Sequence, residues 1–213
     1  MAGSDEGGNT GRILQGTYLL CTGRREGVAC FGDTKADLWA ALAPSFAFNI
    51  VSLFLVCVSP AKINDLRDIL LDLCGTLMML VVSQFCAQYW QRGEMWLRYM
   101  VASLWCGWSV VIDAFILTQL GILVFPGLKT SSLFLMIMLL IFSGNFLWVQ
   151  WYIARVALAV SGLRAAQLCA YIALAMLAVH VAGSFLPPYY SPPASDLTYA
   201  GFMQMLFPLY GVH

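Results

Sequence analysis

Residues 131–154 read SSLFLMIMLLIFSGNFLWVQWYIA, a run of 24 residues without a charged side chain. An α-helix needs about 20 predominantly apolar residues to cross the hydrocarbon core of a bilayer. Shorter apolar runs are typical of helices buried inside soluble domains. The length and composition of this run therefore predict a transmembrane helix.

Four further apolar runs have a similar length. The five predicted spans cover residues 38–59, 69–89, 99–125, 131–154 and 165–186. Helix-breaking residues mark several of their ends: Pro60, Pro126-Gly127 and Pro187-Pro188. The sequence predicts an all-α, polytopic transmembrane helix bundle in which short connections make successive helices antiparallel neighbours.

The overall composition favours the same class. Hydrophobic residues make up 61% of the 213 residues and charged residues only 10%, whereas soluble domains are about 25% charged. The formal net charge of zero provides no basic field for nucleic acid, so no nucleic-acid partner is expected. The seven cysteines are scattered without a CxxC motif, and neither a disulfide framework nor a metal site is predicted.

The distribution of Lys and Arg predicts the orientation. Eight of these residues fall on the side that holds the N-terminus and three on the other side. The positive-inside rule then places the N-terminus in the cytoplasm and the C-terminus, after five spans, outside. We expect a bacterial inner membrane, with an endomembrane or organellar membrane as the alternative.

The predicted domains are a cytoplasmic N-terminal segment over 1–36, the bundle over 37–186 and a Pro-rich apolar outer tail over 187–213. Within the first segment, residues 13–21 are apolar but too short to span. This stretch lies either in the inner headgroup region, with Arg24 and Arg25 on lipid phosphates, or against the bundle as a docking segment. Arg155, at the inner boundary of the fourth span, is a further candidate for headgroup contact.

Polar residues inside the spans are the candidate functional residues, because they are costly in hydrocarbon. The predicted cluster contains Asp113, His180, Asn145, Asn49 and Gln84, with Gln88 one turn after Gln84. For most of them a structural role as interhelical hydrogen-bonding groups is the simpler interpretation. Asp113 and His180 are expected at similar depth, and they form a pair if the third and fifth spans touch.

The third span carries a stripe with spacings of three and four residues. Its members are Tyr99, Ala102, Cys106, Ser109 and Asp113. Such a stripe is the face that a neighbouring helix would meet.

No catalytic motif is present, so we predict no catalytic residue and no enzymatic activity. The sequence contains no G-x-S-x-G, no H-E-x-x-H and no phosphate loop. No cofactor is predicted apart from lipid. His180 alone carries a haem or chlorophyll alternative, because imidazole is a common axial ligand.

Three stretches carry a resemblance to a known family: residues 23–27 (GRREG) leading to 42–46 (LAPSF), 90–99 (WQRGEMWLRY) and 105–108 (WCGW). With these stretches, the layout resembles the bacterial branch of the Yip family of multipass membrane proteins. It implies a five-span bundle without a catalytic motif, and eukaryotic members act as adaptors for small GTPases and reticulon-type partners.

Three functions follow as hypotheses. The favoured one is a non-catalytic protein that contacts other integral membrane proteins and lipids laterally, as an accessory subunit or a membrane organiser. The second is a small proton-linked transporter centred on Asp113 and His180. The third is a haem- or chlorophyll-bearing subunit that uses His180.

Overall fold

The computed structural model describes residues 6–58, 63–125, 127 and 132–185. The described residues form six α-helices and two 3-10 helices, without a strand. The α-helices are α1 (Glu6–Cys21), α2 (Lys35–Val58), α3 (Ile63–Tyr89), α4 (Trp96–Val124), α5 (Ser132–Ala157) and α6 (Gly162–Ser184). The 3-10 helices cover Arg25–Cys30 and Gly93–Met95.

Five of these helices, α2 to α6, are long and apolar enough to cross a membrane. They match the five predicted spans, so the all-α class and the presence of five helices of spanning length are confirmed. Several helices begin a few residues earlier than predicted. The orientation of the termini stays a prediction, and the predicted outer tail over 187–213 lies outside the described residues.

The five long helices form a closed ring of neighbours. Interfaces join α2 to α3, α3 to α6, α6 to α5, α5 to α4, and α4 back to α2. A smaller interface between α3 and α4 crosses the ring. The first half of α4 is the most buried segment of the bundle, with Tyr99, Met100, Ala102 and Cys106 almost fully enclosed.

The N-terminal segment adds a sixth packing element. Helix α1 ends at Cys21, and the chain turns through Thr22–Arg24 into the 3-10 helix, which packs back along α1. We call residues 13–31 the N-terminal hairpin. It lies against α4 and α5, as in the docking alternative, and the buried Leu20 and Phe31 belong to the main hydrophobic core.

The turn of this hairpin is a Schellman motif. The Gly23 N–H donates to the carbonyl of Leu20 (3.0 Å) and the Arg24 N–H to that of Leu19 (2.8 Å). Gly23 has a φ of 78°, in the left-handed region where glycine pays no Cβ penalty. A glycine directly after an apolar helical run is therefore what ends α1.

Candidate functional site

The N-terminal hairpin contacts the middle of the predicted stripe on α4, at Cys106 and Ser109. Thr17 and Cys21 lie one turn apart on α1 and face Cys106 and Ser109, one turn apart on α4. The Sγ of Cys21 is 3.7 Å from the Oγ of Ser109, and the Cys21 and Cys106 thiols are within hydrogen-bonding reach of each other. The stripe therefore meets a helix, as expected, and this helix is supplied by the chain's own N-terminus.

The surroundings of Cys21 change its acidity. A hydrogen bond from the Cys106 thiol lowers the pKa of Cys21 to about 7. Partial burial of Cys21 acts in the opposite direction and raises this pKa. The Ser109 hydroxyl adds to the lowering, and the charge of Asp113 opposes it. A large fraction of Cys21 is therefore thiolate near neutral pH.

The tip of the hairpin is held by α5. The Tyr152 hydroxyl donates to the carbonyl of Gly23 (2.6 Å), and the Trp148 ring stacks on Tyr152 with ring centroids 5.5 Å apart. Trp148 also contacts Gly23, where an added Cβ would meet its ring at 3.4 Å. The tip is thus fixed beside the apolar body of α5, more than a turn inside its C-terminal end.

Two glycines allow the hairpin to close. A Cβ on Gly27 would lie 2.7 Å from the carbonyl oxygen of Gly16, and one on Gly16 would lie 2.7 Å from the Cβ of Cys30. Both distances are shorter than side chains tolerate, so the two arms approach closely only because these positions lack side chains.

Polar pairs beside the first half of α4 were not predicted from the sequence. Ser103 and Gln150 are both buried and hydrogen-bonded: the Ser103 hydroxyl donates to Oε1, and Nε2 donates to the Ser103 carbonyl (3.3 Å). The Trp96 indole donates to the Ser83 hydroxyl (3.0 Å). Ser103 and Gln150 lie in apolar runs, as do the Asn and Gln residues that were singled out, but the sequence does not show which of these residues face another helix.

Asp113 and His180 are not brought together. Both side chains are exposed, and no hydrogen bond joins them among the described residues. Their helices, α4 and α6, do not form one of the main interfaces, because α3 and α5 lie between them. Among the described residues, the predicted pair of Asp113 and His180 is therefore not joined by a hydrogen bond.

The other predicted polar residues are spread over the bundle. Asn49 donates to the carbonyl of Ser45 (2.9 Å) and to Asp72 on α3 (3.4 Å), which makes it an interhelical group. Asp72 was not singled out from the sequence. Asn145, Gln84 and Gln88 are exposed on the outer surface of the bundle.

The candidate headgroup residues are exposed. Arg24 and Arg25 lie at the hairpin tip, beside the body of α5 rather than beyond its end. Arg155 is exposed near the end of α5, with its guanidinium 5.7 Å from the centre of the Trp151 ring. A contact of these residues with lipid phosphates stays a prediction.

Helix α6 presents a second regular stripe, which nothing in the described structure covers. We call it the α6 seam. Its members follow spacings of three and four residues: Leu163, Ala166, Ala170, Ala173, Leu177, His180 and Ser184. Leu163 is 73% exposed and Leu177 59%, and the three alanines and His180 are also exposed.

The opposite side of α6 holds the helix in the bundle. Ala165, Leu168 and Gly183 are buried there, and a Cβ on Gly183 would meet the Leu71 side chain of α3 at 2.6 Å. A third face carries larger exposed side chains, among them Tyr171, Leu174 and Val181. The seam is therefore distinguished by its small residues.

Among the residues that the structure describes, no group of three or more His, Cys, Asp or Glu side chains could hold a metal ion. Comparison with protein-family models, curated proteins and solved structures found no match. The resemblance to the Yip family stays a prediction.

Proposed function

We propose that the protein is a non-catalytic integral membrane protein that acts through lateral helix contacts. It would serve as an accessory or assembly subunit of a larger membrane complex, or as a membrane organiser. The observation that carries this proposal is the α6 seam, a regular face of small residues on the outside of a bundle of five span-length helices.

Small residues favour a helical partner at this face. Ala166, Ala170 and Ala173 let a second backbone approach closely, and van der Waals packing of this kind drives helix association in membranes. The alternating three- and four-residue spacing matches helices that cross at about +20°. The face that carries Tyr171, Leu174 and Val181 offers no such approach and suits lipid chains.

His180 supplies a polar group on the seam. Its Nδ1 lies 2.9 Å from the Met176 carbonyl of the same helix, and its other ring nitrogen has no partner among the described residues. Inside a bilayer, a polar group on a partner helix would offset the cost of leaving this nitrogen unbonded.

The experiment compares two substitutions on α6. Ala173 lies on the seam, and Ala178, also exposed, lies roughly 140° away around the helix axis. We expect wild type and Ala178→Leu to migrate in a larger assembly on blue-native gels after mild solubilisation, and Ala173→Leu to migrate as a smaller species. Migration of all three as the lone protomer, without a co-purifying protein, would refute the proposal.

A second candidate function rests on the same histidine. Ligating histidines commonly bond one ring nitrogen to a backbone carbonyl and present the other to the metal, and His180 has this arrangement. The candidate is a haem- or chlorophyll-bearing subunit. It requires a Soret or near-infrared band in the purified protein that His180→Ala removes, and a colourless preparation from native membranes would exclude it.

A further inference from the structure

Two cysteines that are 85 residues apart in the sequence meet at the contact between the N-terminal hairpin and α4. Cys21 ends α1 and is partly exposed, whereas Cys106 is fully buried in the first half of α4. Both thiols are free. The Cys21 sulfur lies 3.7 Å from the Ser109 hydroxyl, which in turn bonds to the Cys106 carbonyl, so the two cysteines lie on facing turns of α1 and α4. A disulfide forms between cysteines that are brought together in this way.

Residues of both α1 and α4 hold this contact in place, so the folded protein itself positions the two thiols near each other. The Thr17 hydroxyl lies within hydrogen-bonding reach of the Cys106 thiol from the preceding turn of α1. Ser109 donates to the Cys106 carbonyl (3.1 Å) while its Oγ lies 3.7 Å from the Cys21 sulfur. The hydrogen bond from Tyr152 to Gly23 holds the end of α1 in place.

We propose that Cys21 and Cys106 form a reversible dithiol–disulfide site that takes a hydroperoxide as its oxidant. Cys21 is the attacking residue, because it is the more exposed of the two. Cys106 is the resolving residue, because it is buried and lies beside Cys21.

The chemistry balances in two steps. The Cys21 thiolate attacks the terminal oxygen of hydrogen peroxide, the O–O bond breaks, and hydroxide leaves as water after it takes up a proton. The sulfur of Cys106 then attacks the resulting sulfenic acid; the S–S bond forms, and the S–O oxygen leaves as a second water together with the Cys106 proton. Two thiols are oxidised and one peroxide is reduced to two waters. Two molecules of a small thiol then reduce the disulfide by exchange and leave as their own disulfide, which restores the dithiol.

The acidity of Cys21 supports these roles. Because its pKa is lowered to about 7, the nucleophilic thiolate is well populated at neutral pH, and attacking thiols react best when their pKa is near the ambient pH. The disulfide would tie the N-terminal hairpin covalently to α4, whereas the dithiol holds it by packing and hydrogen bonds alone.

The experiment uses the full-length protein in lipid nanodiscs. It is treated with hydrogen peroxide, its remaining thiols are blocked with a maleimide, and it is digested without reduction for peptide mass spectrometry. We expect one intramolecular disulfide between the Cys21 and Cys106 peptides, which dithiothreitol removes. Cys86→Ser, which alters a buried cysteine on α3, is the matched control and should leave this disulfide unchanged.

The variant Cys106→Ser separates the two steps. Without the resolving thiol, the sulfenic acid on Cys21 should persist and react with dimedone, while the wild-type protein yields the disulfide instead. Gel filtration and circular dichroism establish that the variant is folded. Absence of a Cys21–Cys106 disulfide in the wild type, or of a Cys21 dimedone adduct in the folded variant, would overturn the proposal.

Discussion

The stripe on α4 and the seam on α6 have the same residue spacing but differ in burial. Both repeat small and polar residues at spacings of three and four. Tyr99, Ala102 and Cys106 on α4 are buried, whereas Ala170, Ala173 and His180 on α6 are exposed. The difference is that the N-terminal hairpin and neighbouring helices cover these residues of the first stripe, and no described part of the chain covers the second.

The comparison shows that a helix face with this spacing can be covered by the chain itself, as on α4, or left without a covering element, as on α6. Specific contacts hold α1 against α4. Glycines permit the two hairpin arms to approach closely, a hydrogen bond fixes the hairpin tip, and polar side chains of the two helices pair. On α6, the small residues are in place without a covering element. The chain itself therefore stabilises the hairpin, whereas we propose that another molecule covers the seam.

The largest expected effect comes from opening the hairpin. In Gly27→Ala, the new Cβ would lie 2.7 Å from the Gly16 carbonyl oxygen and 2.9 Å from the Cβ of Leu19. Because a backbone atom cannot move aside as a side chain can, we expect a loss of about 3 kcal/mol in the stability of the docked hairpin. Limited proteolysis in detergent should cleave the segment before α2 faster.

The control for this change is Gly11→Ala, since a Cβ at Gly11 meets nothing within 4 Å. Because alanine also favours the helix more than glycine does, its cleavage rate should be no higher than that of the wild type. Equal cleavage of Gly27→Ala and Gly11→Ala would contradict the close packing of the two hairpin arms.

A smaller effect is expected from the buried pair that links α4 to α5. In Ser103→Ala, Gln150 loses its hydroxyl partner while it stays buried, which should cost about 2 kcal/mol. Thermal unfolding followed by circular dichroism measures this loss. Gln84→Leu, at an exposed position of α3, serves as the comparison, and an equal loss of stability in both variants would count against a specific role of the pair.

Removing the hydroxyl that holds the hairpin tip tests the contact with α5. Tyr152→Phe keeps the ring that stacks on Trp148 and deletes the hydrogen bond to Gly23. We expect a loss of about 1 kcal/mol, visible as a modest increase in hydrogen exchange over residues 19–24. Unchanged exchange in this segment would mean that the hydrogen bond does not hold the tip.

The smallest expected effect is electrostatic. The charge of Asp113 raises the pKa of Cys21, so Asp113→Asn should lower that pKa further below its ordinary value. At pH 6 the variant then contains more Cys21 thiolate than the wild type, and iodoacetamide should alkylate the Cys21 peptide faster. Asp68→Asn, on α3, should leave the rate unchanged, and a slower reaction in Asp113→Asn would reverse the sign of the argument.

The sequence was sufficient to predict the long helices and one helix face that packs against another helix, the stripe on α4. The five spans follow from the length of their apolar runs, and the α4 stripe follows from helical spacing, because both signals are local along the chain. Which element covers a stripe is not local. Cys21 and Cys106 meet only through the Schellman turn at Gly23 and the close approach of Gly16 and Gly27.

Because helix neighbours are not encoded locally, the sequence also could not show whether Asp113 and His180 of the predicted polar cluster meet. Asp113 and His180 were expected at similar depth, but depth does not specify which helices are neighbours. The ring order places α3 and α5 between α4 and α6. The Ser103–Gln150 pair was not predicted because the position of a polar residue in an apolar run does not show which residue of another helix it faces; Gln84 and Asn145, which were singled out, are exposed instead.

Photo-crosslinking in native membranes tests most directly whether another protein covers the α6 seam. A benzophenone amino acid is placed at position 173 on the seam or at position 178 on the face some 140° away, and the adducts are identified by mass spectrometry. The account predicts a discrete protein adduct from position 173 and lipid adducts from position 178. Lipid adducts from both positions would contradict it.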